Sequence, residues 1–128
     1  PIIDLEYYRT GIREYIRNME EAIVLTIAAF GLEGGRKEGA TGVWLDAHAP
    51  ERSRKICSIG VRVSRFVTMH GFALNVNTDL RYFNYINPCG FASSVVTSME
   101  KELGKRVDMD HVRAILKERF NALFHPCP

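Results

Sequence analysis

Lys55-Ile56-Cys57-Ser58-Ile59-Gly60-Val61-Arg62-Val63 alternates with a period of two, the signature of an extended strand. In such a strand Lys55, Cys57, Ile59, Val61 and Val63 point to one face. Ile56, Ser58, Gly60, Arg62 and Ser64 point to the other. The first face is the more apolar, and it carries Lys55. A second extended stretch, Met69 to Asn77, follows, and the link from Ser64 to Thr68 is a turn or a continuation of either strand. Upstream, Thr41 to Leu45 reads as a short strand and Asp46 to Ser53 as a polar loop containing Pro50. Residues 41–77 therefore form a sheet region.

On both sides of the sheet the period changes to that of a helix. Leu5, Tyr8, Ile12, Tyr15, Met19, Ile23, Ile27 and Phe30 recur at steps of three and four, so residues 1–31 read as one long helix. Asp4 can cap its start and Gly31 can end it in a left-handed conformation, with Gly11 as an internal cost. Gly31 to Ala40 reads as a polar loop. Residues 78–128 hold a short helix from Leu80 to Ile86, a break at Asn87-Pro88-Cys89-Gly90, and two further helices. Thr97-Ser98-Met99-Glu100 is a capping-box pattern for a short helix closing at Gly104. The last helix follows Asp108, with Met109, Val112, Leu116, Phe120 and Leu123 on one face. Helix, strands and then helices predict an α+β domain with an antiparallel or mixed sheet.

The 128 residues suit a single domain, and 46% of them are hydrophobic, enough for a sizeable core. Seventeen basic and fifteen acidic residues leave a net charge of +2, which argues against nucleic acid as a partner. The longest apolar run, Ala22 to Phe30, is too short to span a bilayer, and no membrane association is expected. Cys57, Cys89 and Cys127 do not form a paired framework, and the four histidines lack metal-ligand spacing. No metal is expected, and a reducing compartment is the simplest setting.

Cys89 lies between Pro88 and Gly90, where a helix cannot continue. A thiol on such a turn is accessible, and Gly90 leaves room for a substrate carbonyl beside backbone donors. The competing reading is a small apolar residue filling a loop. Cys57, in mid-strand, and Cys127, in the tail, read as structural. Lys55 either faces a crevice or lies at the strand end and reaches to water. His70 is either a base or a hydrogen-bonded part of a strand end. Gly60 and Gly71 suggest a bulge or the close approach of a ligand, and together can shape a narrow apolar slot. Arg52, Arg54, Arg62 and Arg65 form either a solvated face or a docking surface for an acidic protein.

From Thr41 to Gly104 the strings TGVWL, RKICSIGVRVSR, MHGFALNVNTDL, INPCG and VTSMEKELG, in this order, resemble the lipoyl(octanoyl) transferases. The resemblance implies an α+β fold of the lipoate and biotin protein ligase type. It implies transfer of an octanoyl group from acyl carrier protein to a lysine of a lipoyl domain, in 2-oxoacid dehydrogenases and the glycine cleavage H protein. The cysteine of INPCG, Cys89, would carry the acyl thioester, with the lysine of RKICSIG, Lys55, as its partner. Ser58, Ile59, Gly60, His70, Gly71, Phe72, Ala73 and Gly90 would bind substrate. No cofactor is implied, and a cytoplasmic location is expected.

The family's upstream glycine-rich segment with its His-Gly-Pro-Gly turn is not in this sequence. Residues 1–128 are therefore expected to be one catalytic domain lacking its N-terminal strands, with Pro1-Ile2-Ile3 as a strand tail and an open sheet edge or uncovered pocket. Two other readings stand beside this one. An ATP-dependent lipoate or biotin ligase shares the fold but does not need Cys89. A non-catalytic fragment would only bind carrier or lipoyl domains.

Overall fold

A computed structural model describes residues 1–86 and 96–125. Strands β1 (Gly34–Lys37), β2 (Ala40–Leu45), β3 (Arg54–Ser64) and β4 (Val67–Leu74) form one antiparallel sheet in the order β1-β2-β3-β4. Helix α1 (Ile12–Ala28) precedes the sheet. A 3₁₀ helix (Leu80–Tyr85), α2 (Met99–Leu103) and α3 (Met109–Leu123) follow it. This is the expected α+β order, antiparallel among the described residues apart from an isolated parallel bridge between Lys55 and Val96.

The first helix is shorter than its periodicity predicts. Ile3 and Leu5 are spent on backbone pairing instead: Thr68 N donates to Ile3 O at 2.9 Å, and Leu5 N donates to Phe66 O at 2.9 Å. Asp4 Oδ1 accepts from Glu6 N and Tyr7 N, so it caps a turn and not α1. Arg9 then takes a positive φ of 47°, and extended Gly11 is the residue before the helix. Leu5 is still buried, because the turn delivers it to the same core that a helix would have reached. Gly31, with φ 85°, closes the far end as expected.

The loop predicted for residues 31–40 contains β1, which pairs with β2 through Gly34–Leu45 and Gly35–Trp44. Strand alternation is not legible in Gly34-Gly35-Arg36-Lys37, and the pairing comes from tertiary contacts. The missing Cβ of Gly34 leaves space that Ile27 Cδ1 fills, 2.5 Å from where a Cβ would stand. The link between β3 and β4 is a tight hairpin in which Arg65 and Phe66 both have positive φ, 48° and 66°.

Two apolar clusters hold the domain together. Ile23 and Ile27 of α1 meet Val43, Leu45, Ile56 and Cys57 of the sheet, with Met99, Val107 and Val112 closing the far side. Ile3, Leu5, Tyr15, Met19 and Phe124 form the second. Each aliphatic side chain fully buried here contributes roughly 1.5–3 kcal/mol. Tyr15 is fully buried, and its hydroxyl donates to Pro1 O at 3.2 Å. Burial raises the Tyr15 phenol above its ordinary pKa. On α3, Val112 is buried, and Leu116, Phe120 and Leu123 pack against the clusters, but Met109 stands exposed at the first position after the Asp108 cap. The helices thus pack on the face of β3 that carries Cys57, Ile59, Val61 and Val63, leaving Ser58, Gly60, Arg62 and Ser64 exposed.

Candidate active site

The parity of β3 breaks at one residue. Val43 pairs with Cys57, but Trp44 pairs with Lys55, so Ile56 is an extra residue on β3. In such a bulge two successive side chains share one side. Ile56 and Cys57 accordingly both point into the first core. Lys55 is thereby turned to the opposite side, that of Trp44, Ser58 and Gly60. The simple alternation that put Lys55 with Cys57 and Ile59 is corrected by this bulge.

Lys55 is half-buried, with Nζ 4.8 Å from the centroid of the Trp44 ring. Lys37 Nζ lies 4.7 Å from the same centroid. Contacts of this kind are worth on the order of 1 kcal/mol. Gly42, on the same side of β2, has φ 123°, and a Cβ there would stand 2.5 Å from Cys57 O and 3.5 Å from Lys55 Cε. We expect Gly42→Ala to destabilise the fold by about 2–4 kcal/mol, through left-handed strain and a backbone clash. A denaturant midpoint equal to wild type would contradict this.

Ser58, Ile59 and Gly60 of β3 and His70, Gly71, Phe72 and Ala73 of β4 line one hollow of about 680 Å³, with Pro1 at its rim. Direct pairing explains the grouping: Ser58 faces Ala73, Ile59 faces Phe72 and Gly60 faces Gly71. Small residues on adjoining strands leave the space open, while Ile59 and Phe72, packed against both cores, supply an apolar floor. His70 is exposed with φ 67°, and Gly71 follows with φ 144°, so β4 carries two left-handed residues at the hollow. For histidine that conformation costs on the order of 1 kcal/mol.

Cys89, Gly90 and Cys127 lie outside the described residues. Val96 bridges to Lys55, and Thr97 N donates to Lys55 O at 2.9 Å. Val96 and Thr97 are thus sewn to the strand position of Lys55. Cys57 is fully buried, and burial pushes its thiol up to about 12, so it stays protonated at neutral pH.

The same anchor carries a network that the sequence did not reveal. Arg54 donates to Glu102 through Nε at 2.6 Å and Nη2 at 2.5 Å, and to Asp46 through Nη1 at 2.6 Å. Thr97 Oγ1 donates to Glu102 Oε1 at 2.5 Å. The capping box therefore does not form as written: Ser98 caps α2 through Lys101 N, and Thr97 joins the network. These contacts also divide the expected arginine surface. Arg54 is consumed by two carboxylates, whereas Arg52, 3.9 Å from Asp46, stays exposed, as do Arg62 and Arg65 on the β3–β4 hairpin.

The hydrogen bonds from Arg54 lower the Glu102 pKa. A lowered carboxylate stabilises the fold above its unfolded value and loses that contribution as pH falls through the folded one. Glu102→Gln is expected to cost about 1–3 kcal/mol at pH 7, and the difference from wild type should shrink below about pH 4.3. Chemical denaturation of both proteins from pH 7 to 3 checks this, and a pH-independent difference would contradict it.

The family model described as the lipoyl protein ligase A/B catalytic domain matches residues 1–121. The chain is 53% identical over 124 residues to an octanoyltransferase of Parabacteroides distasonis, covering 97% of this chain and 56% of that protein. It is 56% identical over 117 residues to an octanoyltransferase of Bacteroides thetaiotaomicron, covering 91% and 51%. The chain thus spans about half the length of these relatives. Biotin protein ligase from Aquifex aeolicus in complex with biotin and ATP superposes with a TM-score of 0.71 at 11% identity, over 96% of this chain and 47% of that one. A bi-partite lipoate protein ligase from Thermoplasma acidophilum gives 0.65 at 20% identity, over 91% and 47%. These two likenesses establish the fold. The chain belongs to the lipoyl protein ligase A/B catalytic domain family and, over most of its length, resembles that family's octanoyltransferases at 51–56% identity.

Proposed function

We propose that this chain carries the acyl-transfer centre of an octanoyltransferase, with Cys89 as nucleophile and Lys55 as its partner. The observation that carries the reading is the hollow of residues 58–60 and 70–73 on the strand that bears Lys55, in a chain more than half identical to octanoyltransferases. Its mixed small and apolar lining suits an extended acyl chain.

The chemistry follows from the two side chains. The Lys55 ammonium favours the Cys89 thiolate, which attacks the carrier thioester. The bond from the acyl carbon to carrier sulfur breaks, and the carrier thiolate takes a proton from the Lys55 ammonium and leaves as a thiol, so that Lys55 becomes neutral. The bond from the acyl carbon to Cys89 sulfur has formed. The lysine of the acceptor domain then attacks the acyl-enzyme. Its proton passes to neutral Lys55, an amide forms, and Cys89 departs as thiolate. Donor and acceptor would be octanoyl-acyl carrier protein and a lipoyl domain. Arg62 and Arg65 offer positive charge for an acidic carrier. A free thiol nucleophile suits a reducing compartment, in keeping with a cytoplasmic location.

Incubating the full-length protein with octanoyl-carrier and measuring intact mass tests the reading. One octanoyl group, released by hydroxylamine and mapped to Cys89, is expected without ATP. Attachment of octanoate to the acceptor only with ATP, and no adduct on Cys89, would instead indicate a ligase.

A further inference from the structure

We propose that Trp44 is a positioning residue that holds the Lys55 ammonium at the acyl-transfer centre. The inference rests on the reading of Lys55 given above and extends it to a residue outside the reacting pair.

Three features converge on this contact. The first is register. Continued without a bulge from the Val43–Cys57 pair, β2 would set Trp44 opposite Ile56. The extra residue instead brings Lys55 directly across from Trp44. The second is the fixed indole. Trp44 Nε1 donates to Ala40 O at 3.1 Å, so the ring leans back along β2 over Gly42, and Trp44 is only 2% exposed. Its neighbours β1 and β3 each deliver a lysine to the ring, with Nζ at 4.7 Å for Lys37 and 4.8 Å for Lys55. The third is proximity. Lys55 Cε lies 3.5 Å from where a Gly42 Cβ would stand, so the lysine stem runs beside Gly42, on the side of β2 that carries the ring.

Physically, a lysine has four rotatable bonds and no preferred endpoint in water. The negative face of an indole supplies one without neutralising the charge. A carboxylate partner would hold the ammonium more tightly and would also compete with a thiolate for it. An aromatic partner fixes the ammonium without adding a competing anion beside it. Lys37 braces the ring from the other neighbouring strand.

The test uses the full-length protein with Trp44→Leu, Trp44→Phe and Lys55→Met. The rate at which acetic anhydride labels Lys55 is read by peptide mass spectrometry against the exposed Lys101 and Lys117. In Trp44→Leu the Lys55 rate should rise about fivefold towards theirs, and in Trp44→Phe it should stay within about twofold of wild type. Octanoyl transfer should show a fall in kcat of about tenfold in Trp44→Leu with little change in KM, largely recovered in Trp44→Phe. Trp44 is the single tryptophan of residues 1–128, so its emission, read with any tryptophan outside them replaced by Phe, should also change in Lys55→Met. Unchanged Lys55 labelling in Trp44→Leu, or an equal kcat loss in the Leu and Phe variants, would overturn the positioning role. So would Trp44 emission in Lys55→Met identical to wild type. Should labelling respond as expected while a Lys55→Ala protein transfers octanoate normally, the contact stands and the role of Lys55 in catalysis falls.

Discussion

Cys89→Ala in the full-length protein is expected to lower octanoyl transfer by a factor on the order of 10⁴ or more, because no thioester can form. Cys57→Ala should leave transfer within about threefold of wild type, since that thiol is buried and protonated at neutral pH. Its cost would fall on stability instead, by about 1 kcal/mol for a lost core group. Steady-state transfer assays and intact-mass spectra of both variants check this. A Cys89→Ala protein that still accumulates an octanoyl adduct on Cys57 would move the nucleophile to β3 and end the present assignment.

Lys55 carries the second large effect. Lys55→Ala is expected to reduce transfer by about 10²–10⁴-fold, the range for loss of a general base. It should also slow alkylation of Cys89 at neutral pH, because the thiolate loses its counter-charge. Lys55→Arg separates the two roles. A guanidinium keeps the charge and should retain part of the alkylation rate, but it cannot accept the proton of the attacking amine, so transfer stays low. Alkylation rates measured between pH 6 and 9 in the three proteins decide the matter. Three superimposable profiles would show that Lys55 does not activate the thiol.

The hollow and the anchor differ in how they depend on the chain. Gly60 and Gly71, which in sequence suggest a bulge or the close approach of a ligand, pair directly across β3 and β4 in regular register. The Arg54–Glu102–Thr97 network joins positions 48 residues apart at its longest link, a separation that no local pattern reveals. Its effect is to bind α2, and with it Val96, to the end of the Lys55 strand.

The sequence by itself determined the element order, the extended character of β3 and β4, the caps at Asp108 and Gly104, and the family. These depend on short-range physics: side-chain period, capping chemistry and left-handed glycines act over a few residues. Motif order also supplied the proposed reacting pair, Cys89 and Lys55. The tertiary structure alone decided four further matters. Residues before Ile12 leave the helical register because their backbone pairs with the β3–β4 hairpin. Gly34–Lys37 becomes a strand because β2 offers it an edge. Arg54 leaves the basic cluster because two carboxylates reach it. Lys55 changes face because β3 must absorb Ile56 beside Cys57 in the core. In each case a long-range contact outweighs a local preference worth a fraction of a kcal/mol to about 1 kcal/mol per residue, which is why period alone could not foresee it.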